Sequence, residues 1–329
     1  MKAWLCRAFG GPETLVWADA PEPTPGPGQI VVDVKAASLN FPDVLIIEGK
    51  YQHKPAFPFP PGSECVGTVS ALGAGVDRFK VGDRVAAFTL WGSFAERVVV
   101  DSWRVVKLPG AIDWITGAAY LLVGGTALHA LRDRGALKAG ETLLVLGAAG
   151  GTGVAAIGIG RKLGAHVIAA ASSAEKLALC RDLGADATID YTRENLRERL
   201  RALTDGRGVD VVFDPVGGEH TEQALRSMAW RGRLLVVGFA AGPIPKVPAN
   251  LALLRGASVI GANWGEFSRF EPESNWRDLD DLAAWIAAGE LRLPVTETIG
   301  ADAIPDALRR MAGRRMMGKI VVDFDRART

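Results

Sequence analysis

The chain has 329 residues, of which 48% are hydrophobic and 23% are charged, a composition typical of a folded globular protein and not of a disordered chain. Its formal net charge of +1 excludes a bulk electrostatic attraction to nucleic acid or to an acidic membrane surface. A chain of this length usually divides into two domains, and we expect its partner to be a small molecule.

The three cysteines, Cys6, Cys65 and Cys180, lie far apart and outside any CxxC spacing. This pattern predicts reduced thiols and not a disulfide framework. The first residues include no apolar segment typical of a signal peptide, and no apolar stretch is long enough for a membrane helix. We therefore expect a cytoplasmic protein with no membrane partner.

The first third of the chain is predicted to be rich in β-strands. Runs of β-branched residues bounded by glycine and proline indicate strands at residues 29–35, 66–72, 84–88 and 94–100. The pattern changes near residue 115. Residues 118–131 are rich in alanine and leucine, which indicates a helix interrupted at Gly124 and Gly125.

From residue 142 onward, strands and helices alternate. Short apolar strands are predicted at residues 142–147, 166–171, 187–190, 209–214, 233–239 and 258–262. Helical patterns follow in the gaps, as at residues 175–183 and 219–230, and again in the tail at 278–288 and 303–311, before a strand at 319–324. Apolar strands separated by helices predict a parallel sheet buried on both faces, the doubly wound α/β arrangement.

The strongest single motif is a glycine-rich loop. An apolar strand ends at Gly147, and a helical pattern begins after three further glycines. Glycines at such a turn let the backbone approach a pyrophosphate, and the helix N-terminus presents free N–H groups to it. The pattern G-x-G-x-x-G is incomplete because Ala148 occupies its first position, yet the strand before it and the helix after it favour a dinucleotide site over a plain turn. The predicted cofactor contacts in this loop are Ala149, Gly150, Gly151, Thr152 and Gly153.

The end of the second strand of this series distinguishes NADPH from NADH. An NAD site usually carries an acidic residue here for the ribose 2′-hydroxyl, and a carboxylate would repel a 2′-phosphate. This chain instead has Ser172, Ser173 and Lys176, whose hydroxyls and cation suit a phosphate, so the pattern favours NADPH. Ser172 and Glu175 also have the spacing of a capping box, and this structural alternative stays open because one serine can do both.

A series of short motifs spans nearly the whole chain. It comprises GGPE at residues 10–13, SLNFPD at 38–43, GKY at 49–51, PGSE at 61–64, GDRV at 82–85, GSFAE at 92–96, the loop at 140–153, and GK at 318–319. Together these motifs resemble the zinc-independent quinone oxidoreductases, the ζ-crystallin-like branch of the medium-chain dehydrogenase/reductase superfamily. One departure is Gly158, where the family signature has a glutamine.

The resemblance implies two domains and further contacts. A β-rich GroES-like catalytic domain would comprise residues 1–120 and 265–329, and a Rossmann NADPH-binding domain residues 121–264. Tyr191 would contact the 2′-phosphate together with Ser172 and Lys176. The nicotinamide side would be lined by Gly238, Phe239, Ala241 and Asn263. Relatives of this kind often form dimers, and the strand at 258–262 ends the parallel series at an expected sheet edge, so we expect a homodimer.

The resemblance also indicates which positions of this chain correspond to the metal ligands of related zinc enzymes. By resemblance, the first two ligand positions are Asn40 and Ser63, and the region of the third, near Val123, has no cysteine. An open catalytic zinc site needs three protein ligands, so we expect no metal.

Without a metal-bound alkoxide, electron-poor acceptors are the expected substrates, namely quinones and α,β-unsaturated carbonyls. Hydride transfer to them needs orientation and hydrogen bonds to the developing oxyanion. The predicted catalytic residues are Asn40 as a donor to a substrate or cofactor oxygen, Tyr51 as a partner of the acceptor oxygen or a proton relay, and Thr126 as a partner of the nicotinamide amide. Asp43 near Asn40 could serve the cofactor or cap a helix.

Two alternatives stay open beside this NADPH-dependent reductase. One is an enoyl-thioester reductase of the enoyl-CoA type, for which Lys50, His53 and Lys54 would be a sparse basic groove. The other is a non-catalytic NADPH-binding protein. The near-neutral net charge does not support a nucleic-acid partner for it.

Overall fold

The computed structural model describes residues 1–326 as an α/β protein that divides into two compact units. The first unit comprises residues 1–122, 268–287 and 293–326. The second unit comprises residues 123–267 and 288–292. None of the helices in residues 1–326 combines the length and the apolar composition needed to cross a membrane.

The described chain begins with a β-rich segment, and strands alternate with helices from β8 onward. In chain order the strands are β1 (Lys2–Leu5), β2 (Val16–Asp19), β3 (Gln29–Ser38), β4 (Glu64–Leu72), β5 (Arg84–Phe88), β6 (Arg97–Asp101), β7 (Val105–Lys107), β8 (Thr142–Leu146), β9 (His166–Ala171), β10 (Ala187–Asp190), β11 (Val209–Asp214), β12 (Met228–Val236), β13 (Ser258–Gly261), β14 (Val295–Ile299) and β15 (Lys319–Asp323).

The α-helices connect these strands. They are α1 (Phe41–Ile47), α2 (Trp114–Ala118), α3 (Leu121–Leu128), α4 (Gly151–Lys162), α5 (Ala174–Asp182), α6 (Leu196–Leu203), α7 (Glu219–Arg226), α8 (Ala249–Arg255), α9 (Trp264–Phe270), α10 (Pro272–Ala287) and α11 (Ile304–Ala312). A π-helical segment, His129–Arg134, follows α3, and short 3-10 turns lie at Pro12–Thr14, Ser102–Arg104 and Ala301–Ala303.

The first unit is built on a mixed sheet. Its strands follow the order β14-β15-β3-β4-β5-β7, with β6 also paired to β3, and only β14 and β15 run parallel to each other. Strands β1 and β2 form a separate antiparallel pair. Buried side chains from β3, β4, β6 and β15 join those of α1 and α11 in one core. The predicted β-rich first third of the chain is therefore confirmed.

The second unit is one parallel sheet in the order β10-β9-β8-β11-β12-β13. This order places β8 in the middle, with the chain winding first to one side and then to the other, and it confirms the doubly wound prediction. All five residues of β8 are buried, as expected for a strand covered on both faces. In such sheets ligands bind beyond the carboxyl ends of the strands where the order reverses, here at β8 and β11. Strand β13 lies at a sheet edge, as predicted.

Two predicted elements are wrong in their extent. The helix predicted at 219–230 ends at Arg226, and strand β12 begins already at Met228 and ends at Val236. Met228 pairs with Val209 of β11, so pairing with a neighbouring strand overrides the local helical pattern.

Gly124 and Gly125 do not interrupt α3, which runs through both residues. A Cβ atom at Gly125 would lie 2.6 Å from the indole of Trp264, so the glycine is needed for close packing and not for a turn.

Candidate functional site

The glycine-rich loop joins β8 to α4 through a sharp turn. Gly147 has a positive φ of 58°, a conformation that favours glycine, and its carbonyl accepts a hydrogen bond from Gly150 N at 3.0 Å. Gly150 is the N-cap of α4, and no side chain caps this helix end. The first-turn N–H groups of α4 therefore have no intrahelical partner, which is the arrangement that binds a phosphate.

One position of the loop, Gly153, leaves no room for a side chain, and a second, Gly150, leaves little. A Cβ atom at Gly153 would lie 2.5 Å from the Gly147 carbonyl oxygen and 2.6 Å from the Ala148 carbonyl oxygen. At Gly150 it would lie 3.3 Å from the same Gly147 oxygen. Gly150 itself is exposed, and Gly151 and Thr152 are half-buried, so a ligand can approach their backbone, whereas Ala149 and Gly153 are buried beneath them. This cradle fits a pyrophosphate.

The missing first glycine of the fingerprint is explained by Gly147. The tight turn is made at that residue, one position before Ala148, whose N–H instead donates to Ala170 O at 3.0 Å. The departure at Gly158 also has a structural reason, since a Cβ atom there would lie 2.7 Å from Leu291 Cδ1. A side chain of the returning segment 288–292 thus fills the space beside α4.

The end of β9 places Ser172 beside Lys176. Lys176 Nζ donates to Ser172 Oγ at 3.1 Å, whereas Ser173 is the N-cap of α5 and its Oγ accepts from Lys176 N at 3.3 Å. The capping-box interpretation of Ser172 and Glu175 is therefore wrong, because the helix begins one residue later than that spacing assumes. The Ser172 hydroxyl and the Lys176 ammonium form a half-buried pair of polar groups at the carboxyl edge of the sheet.

Tyr191 lies next to this pair. Its N–H donates to Ala171 O at 3.2 Å, which holds the residue after β10 against the last residue of β9. The Tyr191 ring packs on His220, with ring centroids 4.4 Å apart and an interplanar angle of 38°. His220 Nδ1 is buried with no hydrogen-bond partner. Sequence analysis did not identify His220, since a lone histidine at the start of a helix gives no signal of a ring contact.

The loops after β11 and β12 are held together by Asp214. Its carboxylate accepts from Val216 N at 2.9 Å, from Gly217 N at 2.8 Å and from the Thr221 hydroxyl at 2.6 Å. Gly238 N donates to the Asp214 carbonyl at 3.3 Å and Ala241 N to the Val216 carbonyl at 2.8 Å.

The predicted Gly238, Phe239 and Ala241 therefore lie beyond the carboxyl ends of β11 and β12. The Phe239 side chain, which remains 39% exposed, packs beside Gly217, whose Cβ would lie 3.1 Å from the ring.

The remaining predicted residues of the second unit are Asn263 and Thr126. Asn263 is exposed, and its Oδ1 accepts from Glu266 N at 3.2 Å, so it caps the start of α9. Thr126 is half-buried on α3, one residue after Gly125, which packs on Trp264.

The first unit contains a buried polar cluster that we call the Lys319 network. It comprises Ser38, Asn40, Asp43, Ser63, Glu64 and Lys319, none of which is more than 4% exposed. Lys319 Nζ donates to Asn40 Oδ1 at 2.6 Å, to Glu64 Oε1 at 3.0 Å and to the Leu39 carbonyl at 3.2 Å. An ammonium group is thus enclosed between an amide, a carboxylate and a backbone oxygen.

The remaining hydrogen bonds of the network occupy the polar side-chain atoms of Glu64 and Asn40. Glu64 Oε1 also accepts from the Ser38 hydroxyl and from Asn40 Nδ2 (2.9 Å), and Glu64 Oε2 accepts from Leu122 N at 2.8 Å. Asn40 Nδ2 lies a further 3.3 Å from Ser63 Oγ. Both ends of the Asn40 amide are therefore bonded to protein groups, an arrangement that the sequence did not suggest.

Asp43 has the most perturbed carboxyl of this network. Burial raises its pKa to about 7, against the lowering effects of the Asn40 N–H, the Ser63 hydroxyl and the Lys319 ammonium. Its Oδ2 accepts from Asn40 N at 2.7 Å, and its Oδ1 has no partner of hydrogen-bonding geometry. The carboxyl group fixes the start of α1, and its burial favours the protonated form.

Tyr51 lies in the same unit, in the segment that follows α1. Its ring is half-buried against the core that contains α1, with its centroid 5.8 Å from that of His53. The structure thus brings Ser172, Lys176 and Tyr191 together at the carboxyl ends of the parallel strands. Asn40 and Asp43 lie together in the Lys319 network. Thr126, the third predicted catalytic residue, belongs to the second unit.

Metal-binding groups do not converge in the described part of the chain. Residues 1–326 contain no group of three or more histidine, cysteine, aspartate or glutamate side chains placed to hold an ion. Cys6, Cys65 and Cys180 are free and buried, and burial raises the pKa of the Cys65 thiol to about 12.

The chain matches two known domain families. Residues 26–110 match the alcohol dehydrogenase GroES-like domain, and residues 151–284 match a domain family described as zinc-binding dehydrogenase. The first match confirms the GroES-like prediction for the first unit's mixed sheet.

Similar proteins cover nearly the whole chain. A quinone oxidoreductase of Pseudomonas aeruginosa is 37% identical over 96% of this chain and 97% of its own length. The quinone oxidoreductase-like protein 2 of Bos taurus is 36% identical over 98% of this chain and 97% of its own. Among solved structures, Escherichia coli quinone oxidoreductase complexed with NADPH has a TM-score of 0.92 at 28% identity, covering 98% of this chain and all of that one. The chain therefore belongs to the quinone oxidoreductase family of the medium-chain dehydrogenase/reductase superfamily.

Proposed function

We propose that this protein is an NADPH-dependent reductase that transfers hydride, without a metal, to a quinone or an α,β-unsaturated carbonyl. The observation that carries the proposal is the uncapped α4 N-terminus beside a loop in which Gly153 leaves room only for backbone. The family relatives named quinone oxidoreductase, one of them complexed with NADPH in its structure, support the same reaction class.

The binding roles follow from the loop and the sheet edge. The first-turn N–H groups of α4 would hold the pyrophosphate, and Ser172, Lys176 and Tyr191 would hold the 2′-phosphate, because a hydroxyl and an ammonium 3.1 Å apart present converging donors. Ser173 supports this site indirectly by capping α5. Gly238, Phe239, Ala241 and Asn263 would line the nicotinamide end, where small and apolar residues exclude water.

NADPH would supply the hydride, and the reduced acceptor would take up one proton from solvent. The protein's contribution is then orientation and stabilisation of the developing oxyanion. Tyr51 and Thr126 carry hydroxyl groups suited to hydrogen bonds with the acceptor oxygen and the nicotinamide amide. The Asn40 amide is bonded to Lys319 and Glu64, and it could donate to a substrate only if those bonds opened. Asn40 would therefore act by orienting the start of α1.

The metal-free part of the proposal rests on chemistry at the positions that resemble zinc ligands. Asn40 and Ser63 supply neither thiolate nor imidazole, and the cluster around them already encloses the Lys319 ammonium. A cation held there by three oxygen acceptors would repel a second cation.

A substrate panel tests the proposal. The full chain would be assayed for oxidation of NADPH and NADH with a quinone, a simple enone and an enoyl-CoA. We expect turnover of the quinone or the enone with NADPH. Faster turnover of the enoyl-CoA would favour a thioester reductase instead, and no oxidation with any acceptor would contradict a reductase.

Lys176→Ala tests the cofactor assignment. Removing a hydrogen bond to a charged group, worth about 1.5–3 kcal/mol, predicts about a 10- to 100-fold rise in KM for NADPH and little change for NADH. Lys80→Ala, at an exposed lysine of the first unit, is the matched control. A wild-type preference for NADH would contradict the roles of Ser172 and Lys176.

A homodimer formed through β13 is part of the same proposal. This edge strand is largely exposed, and nearby Leu253, Leu254 and Trp230 are 79%, 68% and 70% exposed, an apolar surface that suits pairing with a second copy. Sedimentation should give a dimer for the wild type and a monomer for Leu253→Lys/Leu254→Lys. A wild-type monomer at micromolar concentration would refute it.

The three free thiols support a reducing, cytoplasmic location.

A further inference from the structure

We propose that the second unit carries an anion-binding site, separate from the glycine-rich loop, for a small molecule with two or more phosphate groups. The site is a cleft of about 480 Å³ that we call the arginine cleft. Four guanidinium groups line it, those of Arg197, Arg201, Arg226 and Arg255.

The arginine cleft lies away from the proposed cofactor site in the sheet. Its floor is formed by Gly206, Gly208, Ser227 and Met228, residues that precede or begin β11 and β12. The glycine-rich loop, by contrast, follows the carboxyl end of β8. All strands of a parallel sheet run in the same direction. The residues that begin the strands therefore lie on the opposite side of the sheet from the residues that follow the strands.

The charges of the arginine cleft are only partly balanced within the protein. Arg197 and Arg201 are exposed and one helical turn apart on α6, and neither guanidinium has an ion pair or hydrogen bond in residues 1–326. Like charges at this spacing destabilise a helix. Glu198 is the one acidic residue among those lining the cleft. Such an unbalanced set in a chain of net charge +1 indicates that the positive potential is used for binding.

The other two arginines are held in place. Arg226 Nε and Nη2 both donate to Glu222 Oε1, at 2.9 and 2.6 Å, and Arg255 Nη2 donates to the Arg226 carbonyl at 3.2 Å. The arginine cleft thus combines two guanidinium groups that are held by hydrogen bonds with two that are not. Guanidinium groups form paired hydrogen bonds with phosphate oxygens, and four of them match two phosphate groups better than one.

Pyrophosphate binding tests the proposal on the full chain. Calorimetric titration would be run with inorganic pyrophosphate and inorganic phosphate, with and without saturating NADPH, for the wild type, Arg197→Gln/Arg201→Gln and the charge-matched control Lys80→Gln/Arg292→Gln. We expect the wild type to bind pyrophosphate more tightly than phosphate. NADPH, which itself carries phosphate groups, is added at the lowest concentration that fills the glycine-rich loop, so that the pyrophosphate binding that remains reports the arginine cleft.

The double arginine variant should bind pyrophosphate at least about tenfold more weakly, and the control variant should bind it like the wild type. Both variants change exposed residues, and without ligand the arginine variant should melt no lower than the wild type because a like-charge pair is removed. No pyrophosphate binding by the wild type would overturn the proposal, as would binding that the arginine substitutions leave unchanged. Binding of an RNA oligonucleotide to the cleft without pyrophosphate binding would also overturn it.

Discussion

The glycine-rich loop and the Lys319 network are two polar regions of this molecule that are built in opposite ways. The loop offers backbone N–H groups within one continuous segment and excludes side chains, since a Cβ at Gly153 would clash with Gly147 O. The Lys319 network is made of side chains, and its members range from Ser38 to Lys319. Ligand binding is expected to depend on the first region and stability on the second.

Lys319→Met should have the largest effect. It tests whether the Lys319 network stabilises the fold. Glu64 is 1% exposed, and removing its cationic partner leaves an uncompensated buried carboxylate, which predicts a loss of about 3–5 kcal/mol in the free energy of unfolding. Denaturant titration measures it. Lys107→Met, at a 63% exposed lysine paired with Asp83, is the control and should stay within about 1 kcal/mol of wild type.

A double-mutant cycle isolates the pair itself. Adding Glu64→Gln to Lys319→Met removes the unpaired charge, so the double variant should lose less stability than the two single variants together. Additive losses would mean that Lys319 acts by packing, and the network would then not be the electrostatic unit described above.

The pH dependence of stability should be the next largest effect, and it depends on Asp43. Its pKa is about 7 in the folded protein and about 3.9 in an unfolded chain, so the native state binds the extra proton between these values. Asp43 therefore stabilises the fold fully below pH 4, and this contribution is lost as pH rises through 7. Three pKa units set an upper limit of about 4 kcal/mol.

Asp43→Asn keeps an acceptor for the Asn40 N–H and cannot ionise. The free energy of unfolding would be measured for wild type and variant by denaturant titration from pH 4 to pH 8. As the pH rises, the wild type should lose stability relative to the variant. Parallel pH curves for the two proteins would show that the carboxyl group does not titrate in this range.

Sequence analysis predicted most of the structure of the glycine-rich loop and the end of β9 because the determinants of both are local. The strand, the glycines and the following helix are contiguous, so their spacing alone indicates a turn at the carboxyl end of β8. The same holds for the acid-free end of β9 at Ser172. Even here a one-residue error arose, because Ser173 and not Ser172 caps α5, and adjacent serines give no signal to distinguish them.

The Lys319 network could not be predicted in the same way. Lys319 and Glu64 were recognised as landmarks, yet nothing in a single sequence shows that residues 255 positions apart form one buried ion pair. Strand β15 brings them together by pairing with β3 beside β4, and that pairing depends on the tertiary fold. The early start of β12 at Met228 was missed for the same reason.

Gly153→Ala tests the loop side of the comparison. The new Cβ would lie 2.5 Å from a backbone oxygen, so the helix N-terminus must shift. Losing one hydrogen bond from this helix end to a charged phosphate, worth about 1.5–3 kcal/mol, predicts about a 10- to 100-fold rise in the dissociation constant for NADPH. Fluorescence titration with NADPH measures it. Gly110→Ala, where no atom lies within 4 Å of the new Cβ, should bind as wild type. Unchanged binding by Gly153→Ala would place the cofactor elsewhere.

His220 should have the smallest effect, because its ring only supports Tyr191, a side chain of the proposed 2′-phosphate site. Its ring packs on Tyr191 at 4.4 Å, and an aromatic pair contributes about 0.5–1.5 kcal/mol, so His220→Ala should raise KM for NADPH about 3- to 10-fold with kcat nearly unchanged. His220→Phe retains a ring and should restore the wild-type KM, which separates positioning of Tyr191 from any role of the imidazole nitrogens. Steady-state kinetics with NADPH and NADH distinguish these outcomes: a loss that Phe does not restore would assign the effect to the unpartnered Nδ1. Equal rises in KM for both cofactors would show that His220 does not act through the 2′-phosphate end, and the ring pair would then support only the loop that Asp214 already holds.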